Sequence, residues 1–314
     1  MALKCAFLFP GQGSQAVGMG KDFVENSDAA RALMDAASER TGIDFEALLF
    51  SENDKLGQTE YTQPAILLVS MMADHLFRDA TGLRPTLALG HSLGEFSALA
   101  SVGALDAVDA VETVNLRGRL MAQACEGVDV GMLVSLGLDD ATVEKICEEA
   151  RGEGKKVWAV NYNADGQIVI AGIKPDLEAL VDTLKSAGAK RAMLLNMSVA
   201  SHCPLLESAS SPLAQKLQEV LRDTFEAPVI SNVTAKPYDT KAEALELLPK
   251  QLVMPVLYKQ SIVAIDDEVD CYVELGHGNV LKGLNRKATK KPHFNVSDMA
   301  SLEATVNALK EMGL

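Results

Sequence analysis

The chain has 314 residues, and its 29 Lys and Arg against 43 Asp and Glu give a formal net charge of −14. Its 48% hydrophobic and 23% charged content is typical of a globular protein with a sizeable core, and the length suits about two domains. A surface this acidic repels phosphate groups, which argues against nucleic acid and anionic membranes as partners.

Cysteine spacing and the length of apolar runs indicate the compartment. The five cysteines are odd in number, widely spaced and without a C-x-x-C pair, which favours reduced thiols over disulfides or a metal site. The apolar run 5–10 is too short for a signal peptide, and the longest apolar stretch, near 66–73, is less than half a membrane span. We therefore expect a cytoplasmic protein without a membrane segment.

Strands and helices alternate over the first 127 residues. In chain order the pattern predicts a strand at 3–10, a helix at 27–40, a buried helix that begins at 62–64, a strand at 85–89 and a helix from 105–106. Pro64 is expected at the first position of the buried helix, where its missing N–H costs nothing.

The pattern changes to the order βαββαβ between residues 128 and 198. The predicted elements are a strand at 131–137, a helix at 139–151, strands at 156–161 and 167–172, a helix at 175–187 and a strand at 192–197. This order is the signature of a ferredoxin-like unit. Strand–helix alternation then resumes, so we predict one α/β domain, residues 1–127 and 199–314, interrupted by a small subdomain at 128–198.

A possible nucleophile lies in the sequence GHSLG at 90–94. It is a G-x-S-x-G motif between a predicted strand and a predicted helix, the context in which a sharp turn exposes the serine hydroxyl. The following helix start offers free N–H groups to a developing oxyanion. Ser92 is therefore the candidate nucleophile, and the alternative is an ordinary tight strand–helix turn.

A serine nucleophile needs a base, and five histidines are available. His202 follows a predicted strand and its loop, where it can meet a nucleophile at the end of another strand. We expect His75 to be a packing residue, His91 to point away from the serine and His293 to be exposed. Its position in the chain favours His202 as the base, but it does not exclude the other four histidines, including His277.

Arg117 shares a helix face with Val114 and Met121, because the three are spaced three and four residues apart. An arginine on an apolar face needs a partner, since burying an unpaired charge is expensive. Either the side chain extends along the apolar surface to reach water, or it pairs with a structural acid, or it binds a carboxylate of the substrate bidentately. Arg119, two residues on, is expected to point elsewhere.

The glycine-rich loop GQGSQA at 11–16 admits two interpretations. It matches the dinucleotide-binding pattern G-x-G-x-x-A, but Pro10 precedes it and no acidic strand end follows about 20 residues later. The alternative is that a backbone N–H, such as that of Gln12, faces the oxyanion.

Six segments together resemble malonyl-CoA:acyl carrier protein transacylases of bacterial type II fatty-acid synthesis. They are FPGQGSQ at 9–15, YTQPA at 61–65, GHSLGE at 90–95, Arg117, SH at 201–202 and KQL at 250–252. The resemblance extends in order over nearly the whole chain and implies an α/β-hydrolase-like large domain with a parallel sheet and a ferredoxin-like insertion. One departure is Gly276-His277-Gly278, where the family usually has Gly-Pro-Gly.

The resemblance implies a ping-pong acyl transfer from malonyl-CoA to acyl carrier protein without a metal or other cofactor. Ser92 would be acylated, His202 would act as base and then acid, and the N–H groups of Gln12 and Leu93 would hold the oxyanion. The remaining implied roles are malonyl carboxylate binding by Arg117, orientation of the histidine by the Gln251 carbonyl, and substrate contacts by Gln63, Met121, Asn161 and Gln167.

Two other functions compete with acyl transfer. A serine esterase or thioesterase would carry an Asp or Glu between serine and histidine in chain order, and here the acids of that interval lie largely in the predicted insertion or on helices. A non-catalytic interaction module would not need serine, histidine and arginine together.

The negative net charge conceals basic clusters. Residues 276–296 contain five basic side chains and no acid, and a smaller basic pair precedes them. Because carrier proteins of this pathway are acidic, we expect one or both clusters to receive the carrier rather than to be only solvated surface. The basic residues are Lys282, Arg286, Lys287, Lys290 and Lys291, with Lys190 and Arg191 as the pair.

Overall fold

The computed structural model describes residues 3–314, which form a large sheet and a small sheet with helices around them. The strands are β1 Cys5–Phe9, β2 Leu87–Gly90, β3 Val130–Leu136, β4 Val157–Ala164, β5 Gln167–Ile173, β6 Arg191–Leu194, β7 Val229–Ile230, β8 Pro237–Tyr238, β9 Cys271–Leu275 and β10 His293–Val296. The α-helices are α1 Lys21–Asn26, α2 Asp28–Thr41, α3 Phe45–Phe50, α4 Thr59–Thr81, α5 Gly94–Ser101, α6 Ala107–Ala124, α7 Asp140–Gly152, α8 Lys174–Ser186, α9 Glu207–Val220, α10 Lys241–Gln251, α11 Tyr258–Ile265, α12 Val280–Asn285 and α13 Met299–Glu311.

The large sheet brings the glycine-rich loop and the serine turn together. Its order is β10-β9-β1-β2-β7-β8, and all neighbours are parallel except the β7–β8 hairpin. β1 and β2 are adjacent, with Phe9 opposite Gly90, so the segments that follow these two strands leave the same edge side by side. This is the edge at which parallel α/β sheets bind ligands.

The small sheet is antiparallel, with the order β4-β5-β3-β6 that a ferredoxin-like βαββαβ unit requires. One face buries Leu133 and Ile170 with the apolar sides of α7 and α8. The other face presents Met132 and Val169 to the core of the large sheet. We keep the division into 1–127 with 199–314 and 128–198 as a proposal, and expect the insertion not to fold alone because one apolar face would be exposed.

The prediction that a helix begins at 62–64 is wrong by one turn. α4 begins at Thr59, and Pro64 lies inside it. A proline there leaves the carbonyl of Glu60, four residues earlier, without its helical N–H donor. The side chain of Asn115 on α6 donates to that carbonyl at 2.8 Å, so a tertiary contact compensates for the missing bond.

Within residues 3–314, no helix combines the length and the apolar character needed to cross a bilayer. Several elements have no clear pattern in the sequence and are not predicted from it, namely α1, α3, α10 to α13, β8 and β10.

Candidate active site

The turn between β2 and α5 holds Ser92 in a left-handed backbone conformation, with φ of 55°. A non-glycine residue at positive φ is strained, and such strain is characteristic of a nucleophile at a strand–helix elbow. Glycines make the turn sterically feasible. A Cβ on Gly90 would lie 2.0 Å from the Gly94 carbonyl carbon, and one on Gly94 would lie 2.2 Å from the Phe9 oxygen.

His202 reaches the nucleophile from the segment between β6 and α9, also at positive φ, 62°. Its Nε2 lies 2.8 Å from Ser92 Oγ, and its Nδ1 lies 2.6 Å from the backbone oxygen of Gln251 at the end of α10. A carbonyl can only accept, so Nδ1 carries the proton and Nε2 is free to accept one from the serine hydroxyl.

Arg117 is buried, 1% exposed, and points at the same serine. Its Nη2 donates to Ser92 Oγ at 3.1 Å and to Gln251 Oε1 at 2.9 Å, and its Nη1 donates to Gln63 Oε1 at 2.6 Å. The guanidinium also lies over the ring of Phe96, 5.4 Å from its centroid. These partners are neutral, so no carboxylate forms a salt bridge with Arg117 within residues 3–314, whereas Arg119 is exposed.

Backbone N–H groups of Gln12 and Leu93 stand beside the serine. Gly11 packs so closely on the turn that a Cβ would lie 2.4 Å from the His91 oxygen, which brings Gln12 to the site. The Ser92 N–H is engaged by Asn232 Oδ1 at 2.7 Å. In the part of the chain that the structure describes, the N–H groups of Gln12 and Leu93 have no acceptor, so they are available to an oxyanion.

A cavity of about 390 Å³ lies over Ser92, between the large and the small sheet. Of the candidate substrate residues, Arg117, Met121, Asn161 and Gln167 line it. Gln63 does not line it but is buried beneath, where it donates to Thr59 Oγ1 at 2.8 Å and contacts the Met121 sulfur. The small sheet supplies the apolar wall, which includes Met132, Val134, Leu136 and Val169.

Comparison with known proteins identifies the family. A model of the acyl transferase domain matches residues 6–309. The malonyl CoA-acyl carrier protein transacylase of Bacillus subtilis is 39% identical over 98% of each chain. The chain belongs to the malonyl-CoA:acyl carrier protein transacylase family.

Solved structures of similar proteins agree with this assignment. The fold matches the malonyl-CoA:acyl carrier protein transacylase of Helicobacter pylori with a TM-score of 0.95, at 44% identity and 99% coverage of both chains. It matches a malonyl-transacylase solved in complex with its type II PKS acyl-carrier protein with a TM-score of 0.93, at 36% identity, over 97% of this chain and 99% of that one. The chain is therefore an acyltransferase with an α/β-hydrolase-like large domain and a ferredoxin-like subdomain.

Burial sets the electrostatics of this transacylase site. Burial and, after it, the Arg117 cation lower the pKa of His202 to about 3, so the imidazole is neutral at physiological pH. Burial also lowers the pKa of Arg117 to about 10, which leaves it charged, with Glu95 acting in the opposite direction. The site thus combines a neutral imidazole with a desolvated guanidinium cation.

Within residues 3–314 none of the other histidines forms a hydrogen bond with Ser92 Oγ, although His91 lines the cavity over it. The His91 Nε2 donates to Asn163 Oδ1 at 2.7 Å, away from the serine as expected. His75 is exposed and His293 is largely buried, so both expectations for these residues were wrong. His277 is half-buried, in the loop that follows β9.

The sequence analysis missed a buried polar network under the transacylase site. Asn232 follows β7 and joins the turn through its contact with the Ser92 N–H and a second bond from its Nδ2 to the Gly90 oxygen at 2.7 Å. Glu95 and Tyr238 complete the network. One signal was available for Asn232: a polar residue at the carboxyl end of a buried strand.

The basic clusters flank the turn between β4 and β5. Lys287 Nζ donates to the Asp165 oxygen at 3.4 Å, and Gly137, which packs on the Lys190 side chain, donates its N–H to the Gly166 oxygen at 2.7 Å. Arg286, Lys290 and Arg191 are exposed, as are Lys287 and Lys190, whereas Lys282 is half-buried. Lys291 differs from the expected free cation, because it is half-buried and its Nζ donates to the Asp266 and Val269 carbonyls.

Proposed function

We propose that this chain transfers a malonyl group from malonyl-CoA to the phosphopantetheine thiol of holo acyl carrier protein, and so supplies malonyl-carrier for fatty-acid synthesis. The observation that carries the proposal is the convergence on Ser92 Oγ of a neutral base at 2.8 Å and a buried guanidinium at 3.1 Å. The first can activate the hydroxyl, and the second can recognise a free carboxylate beside the reacting carbonyl.

In the first half-reaction Ser92 Oγ attacks the thioester carbonyl carbon while His202 Nε2 accepts the hydroxyl proton. The carbonyl oxygen becomes an oxyanion that the Gln12 and Leu93 N–H groups stabilise. Collapse breaks the carbon–sulfur bond, and His202 returns its proton to the sulfur of CoA. The product is a malonyl ester on Ser92, and the Gln251 carbonyl keeps the histidine in one tautomer throughout.

Arg117 supplies selectivity for malonyl over acetyl groups. The malonyl carboxylate would take over guanidinium hydrogen bonds that now go to the amide oxygens of Gln63 and Gln251. A neutral acyl group would leave the buried cation with amide partners only. The carboxylate brings a full negative charge and two oxygens in bidentate geometry, which the amide oxygens do not, so the exchange favours malonyl.

Substrate binding also tunes the base. Arg117 is one of the causes of the low pKa of His202, second to burial. A carboxylate on Arg117 compensates that cation, so the pKa of His202 rises when malonyl-CoA is bound. The histidine then accepts the serine proton more readily in the complex than in the free enzyme.

In the second half-reaction the carrier thiol attacks the ester carbonyl carbon while His202 accepts the thiol proton. Collapse of the tetrahedral intermediate breaks the carbon–oxygen bond to Ser92, and His202 returns the proton to Ser92 Oγ, so the malonyl group leaves on the carrier sulfur. The rival hydrolase would use water here. Two features support transfer: the third position of the triad is the Gln251 carbonyl rather than an acid, and His202 is 3% exposed. An apolar small-sheet wall over the ester also disfavours water.

We propose that no metal or organic cofactor takes part, because Ser92, His202 and Arg117 supply nucleophile, base and charge.

We also propose a cytoplasmic location. All five cysteines are buried free thiols, which suits a reducing compartment.

We propose that the carrier docks around the β4–β5 turn. The two basic clusters approach this turn from different sides, and Asn163 and Gln167, on the two strands that it joins, line the cavity over Ser92. An acidic carrier bound there would be held close to the opening through which its pantetheine arm enters. Arg286, Lys287 and Lys290 are the members of the larger cluster with exposed side chains.

The test is intact-mass spectrometry of the protein mixed with malonyl-CoA. We expect one malonyl adduct that is lost only when holo carrier is added, with the malonyl group recovered on the carrier, and no adduct in Ser92→Ala. CoA release that continues without carrier would indicate a hydrolase. Absence of any adduct would indicate a non-catalytic module.

A further inference from the structure

The nucleophile, the base and the arginine share one support, Gln251, which binds them through its side chain and its backbone oxygen. Its Oε1 accepts from Arg117, its Nε2 donates to the backbone oxygen of Ser92 at 3.1 Å, and its own backbone oxygen holds His202. An amide placed at this junction must keep one orientation, because reversing it would turn an N–H toward the guanidinium.

Glu95 on α5 fixes that orientation. Its Oε2 accepts from Gln251 Nε2 at 2.6 Å and from the backbone N–H of Asn232 at 3.0 Å, and its Oε1 accepts from the Tyr238 hydroxyl at 2.9 Å. The carboxylate is 1% exposed, so no water competes for these donors. Asn232 in turn holds the Ser92 N–H.

We infer that Glu95 is a positioning residue of this transacylase, which holds Gln251 and Asn232 in register with Ser92, His202 and Arg117 through the reach of its carboxylate. It contacts neither the cavity nor Ser92 Oγ, so its effect passes through its two neighbours. The inference rests on the proposed function in one respect: malonyl transfer is the reaction that Glu95 would support.

Two substitutions of Glu95 separate the effect of side-chain length from the effect of charge. Glu95→Gln loses the charge but keeps an oxygen for the two N–H donors, since its amide nitrogen can face the Tyr238 hydroxyl, which is able to accept. Glu95→Asp keeps the charge but is one methylene too short to reach both donors. Burial raises the pKa of Glu95 to about 7, so a neutral side chain is tolerable here.

Glu274 provides a matched control on β9. It is also a fully buried carboxylate whose pKa burial raises to about 7, but it accepts from the backbone N–H groups of Leu281 and Lys282 at the start of α12. Its hydrogen bonds therefore support a helix end rather than the serine turn.

The experiment measures two rates for Glu95→Gln, Glu95→Asp and the same two changes at Glu274, with the thermal midpoint of each protein. The rates are kcat for malonyl transfer and the second-order rate of Ser92 modification by a fluorophosphonate. The second rate needs the serine, the base and the oxyanion N–H groups, but neither malonyl-CoA nor carrier.

We expect Glu95→Asp to lose at least about tenfold more than Glu95→Gln in both rates, and neither Glu274 variant to lose more than about threefold. Equal rates for Glu95→Asp and the wild type would overturn the inference, as would a loss in Glu95→Gln that matches or exceeds that in Glu95→Asp. Losses at Glu274 equal to those at Glu95 would show a structural effect only. If the wild type fails to transfer malonyl, the fluorophosphonate rates still decide the role of Glu95.

Discussion

Two strand–helix turns on the large sheet look alike in sequence and differ in use. After β2 the chain reads Gly90-His91-Ser92, and after β9 it reads Gly276-His277-Gly278. Each has a buried glutamate nearby, Glu95 or Glu274. Glu95 binds groups 137 to 156 residues away, whereas Glu274 binds N–H groups 7 and 8 residues away.

The difference lies in where the hydrogen bonds of each turn lead. Long-range hydrogen bonds tie the first turn to the segment after β7 and to β8, α6 and α10. Their side chains are Asn232, Tyr238, Arg117 and Gln251. The second turn is closed locally, and a Cβ on Gly276 would lie 2.6 Å from Ser70 Oγ, so close packing explains this glycine. A Gly-His motif therefore marks a site only when long-range polar contacts converge on it.

The largest effect on activity is expected when the arginine at the first turn is removed. Arg117→Ala deletes the only cation that reaches Ser92 Oγ within residues 3–314, and we expect malonyl transfer to fall by about 2–5 kcal/mol in kcat/KM. Acetyl transfer should persist or rise, because a neutral group no longer leaves a charge unpaired. Arg119→Ala, two residues on and exposed, is the control. Equal losses for both acyl groups would make Arg117 structural.

Each of the two turns accepts a hydrogen bond from an asparagine side chain, so the two asparagines can be compared by substitution. Asn232 Nδ2 donates to the Gly90 oxygen at 2.7 Å, and Asn295 Nδ2 donates to the Gly278 oxygen at 3.4 Å. Asn232→Ala also leaves the Ser92 N–H unpaired, so we expect a stability loss of about 1–3 kcal/mol and a kcat about tenfold lower. Asn295→Ala should leave kcat near that of the wild type. Urea titration and initial rates measure both, and equal kcat values would remove the distinction between the turns.

The pH dependence reports the neutral base. Because the pKa of His202 is lowered to about 3, the reactive neutral form persists as pH falls, and fluorophosphonate modification of Ser92 should stay above half-maximal at pH 5. Arg117→Ala removes one of the causes that lower the pKa of His202, so the acidic midpoint of the pH profile should shift to higher pH. A wild-type midpoint near 6.5 would contradict the buried, cation-facing environment of the histidine.

The smallest effect is expected at the proposed carrier surface. Reversing charge in a Lys287→Glu, Lys290→Glu double variant should raise KM for the carrier about three- to tenfold, less so at high salt, and leave KM for malonyl-CoA unchanged. Lys310→Glu, an exposed lysine on α13, is the control. Unchanged KM for the carrier would exclude this cluster.

Sequence patterns predicted what depends on local order and missed what depends on distant contacts. The ferredoxin-like order and the serine turn follow from periodicity and glycine spacing. The start of α4 was misplaced because Asn115, 55 residues away, supplies the donor that Pro64 removes from the helix. His293 was expected to be exposed because it follows Lys290-Lys291-Pro292, but its strand β10 packs against β9.

The hydrogen-bond network around Glu95 could not be predicted from the sequence for a similar reason. Glu95 lies in a quoted motif, yet its partners Asn232, Tyr238 and Gln251 come from three later elements, and only the fold brings them together. Arg117 was recognisable because an arginine on an apolar helix face demands a partner. The sequence did not specify the two glutamines that bind it in the absence of substrate.

A crystal structure of the protein soaked with malonyl-CoA would show whether Ser92 and Arg117 bind the malonyl group together. We expect a malonyl ester on Ser92 Oγ, with its carboxylate bidentate on Arg117 and its carbonyl oxygen about 3 Å from the Gln12 and Leu93 N–H groups. An ester on another residue would contradict it, as would a malonyl carboxylate that points away from Arg117.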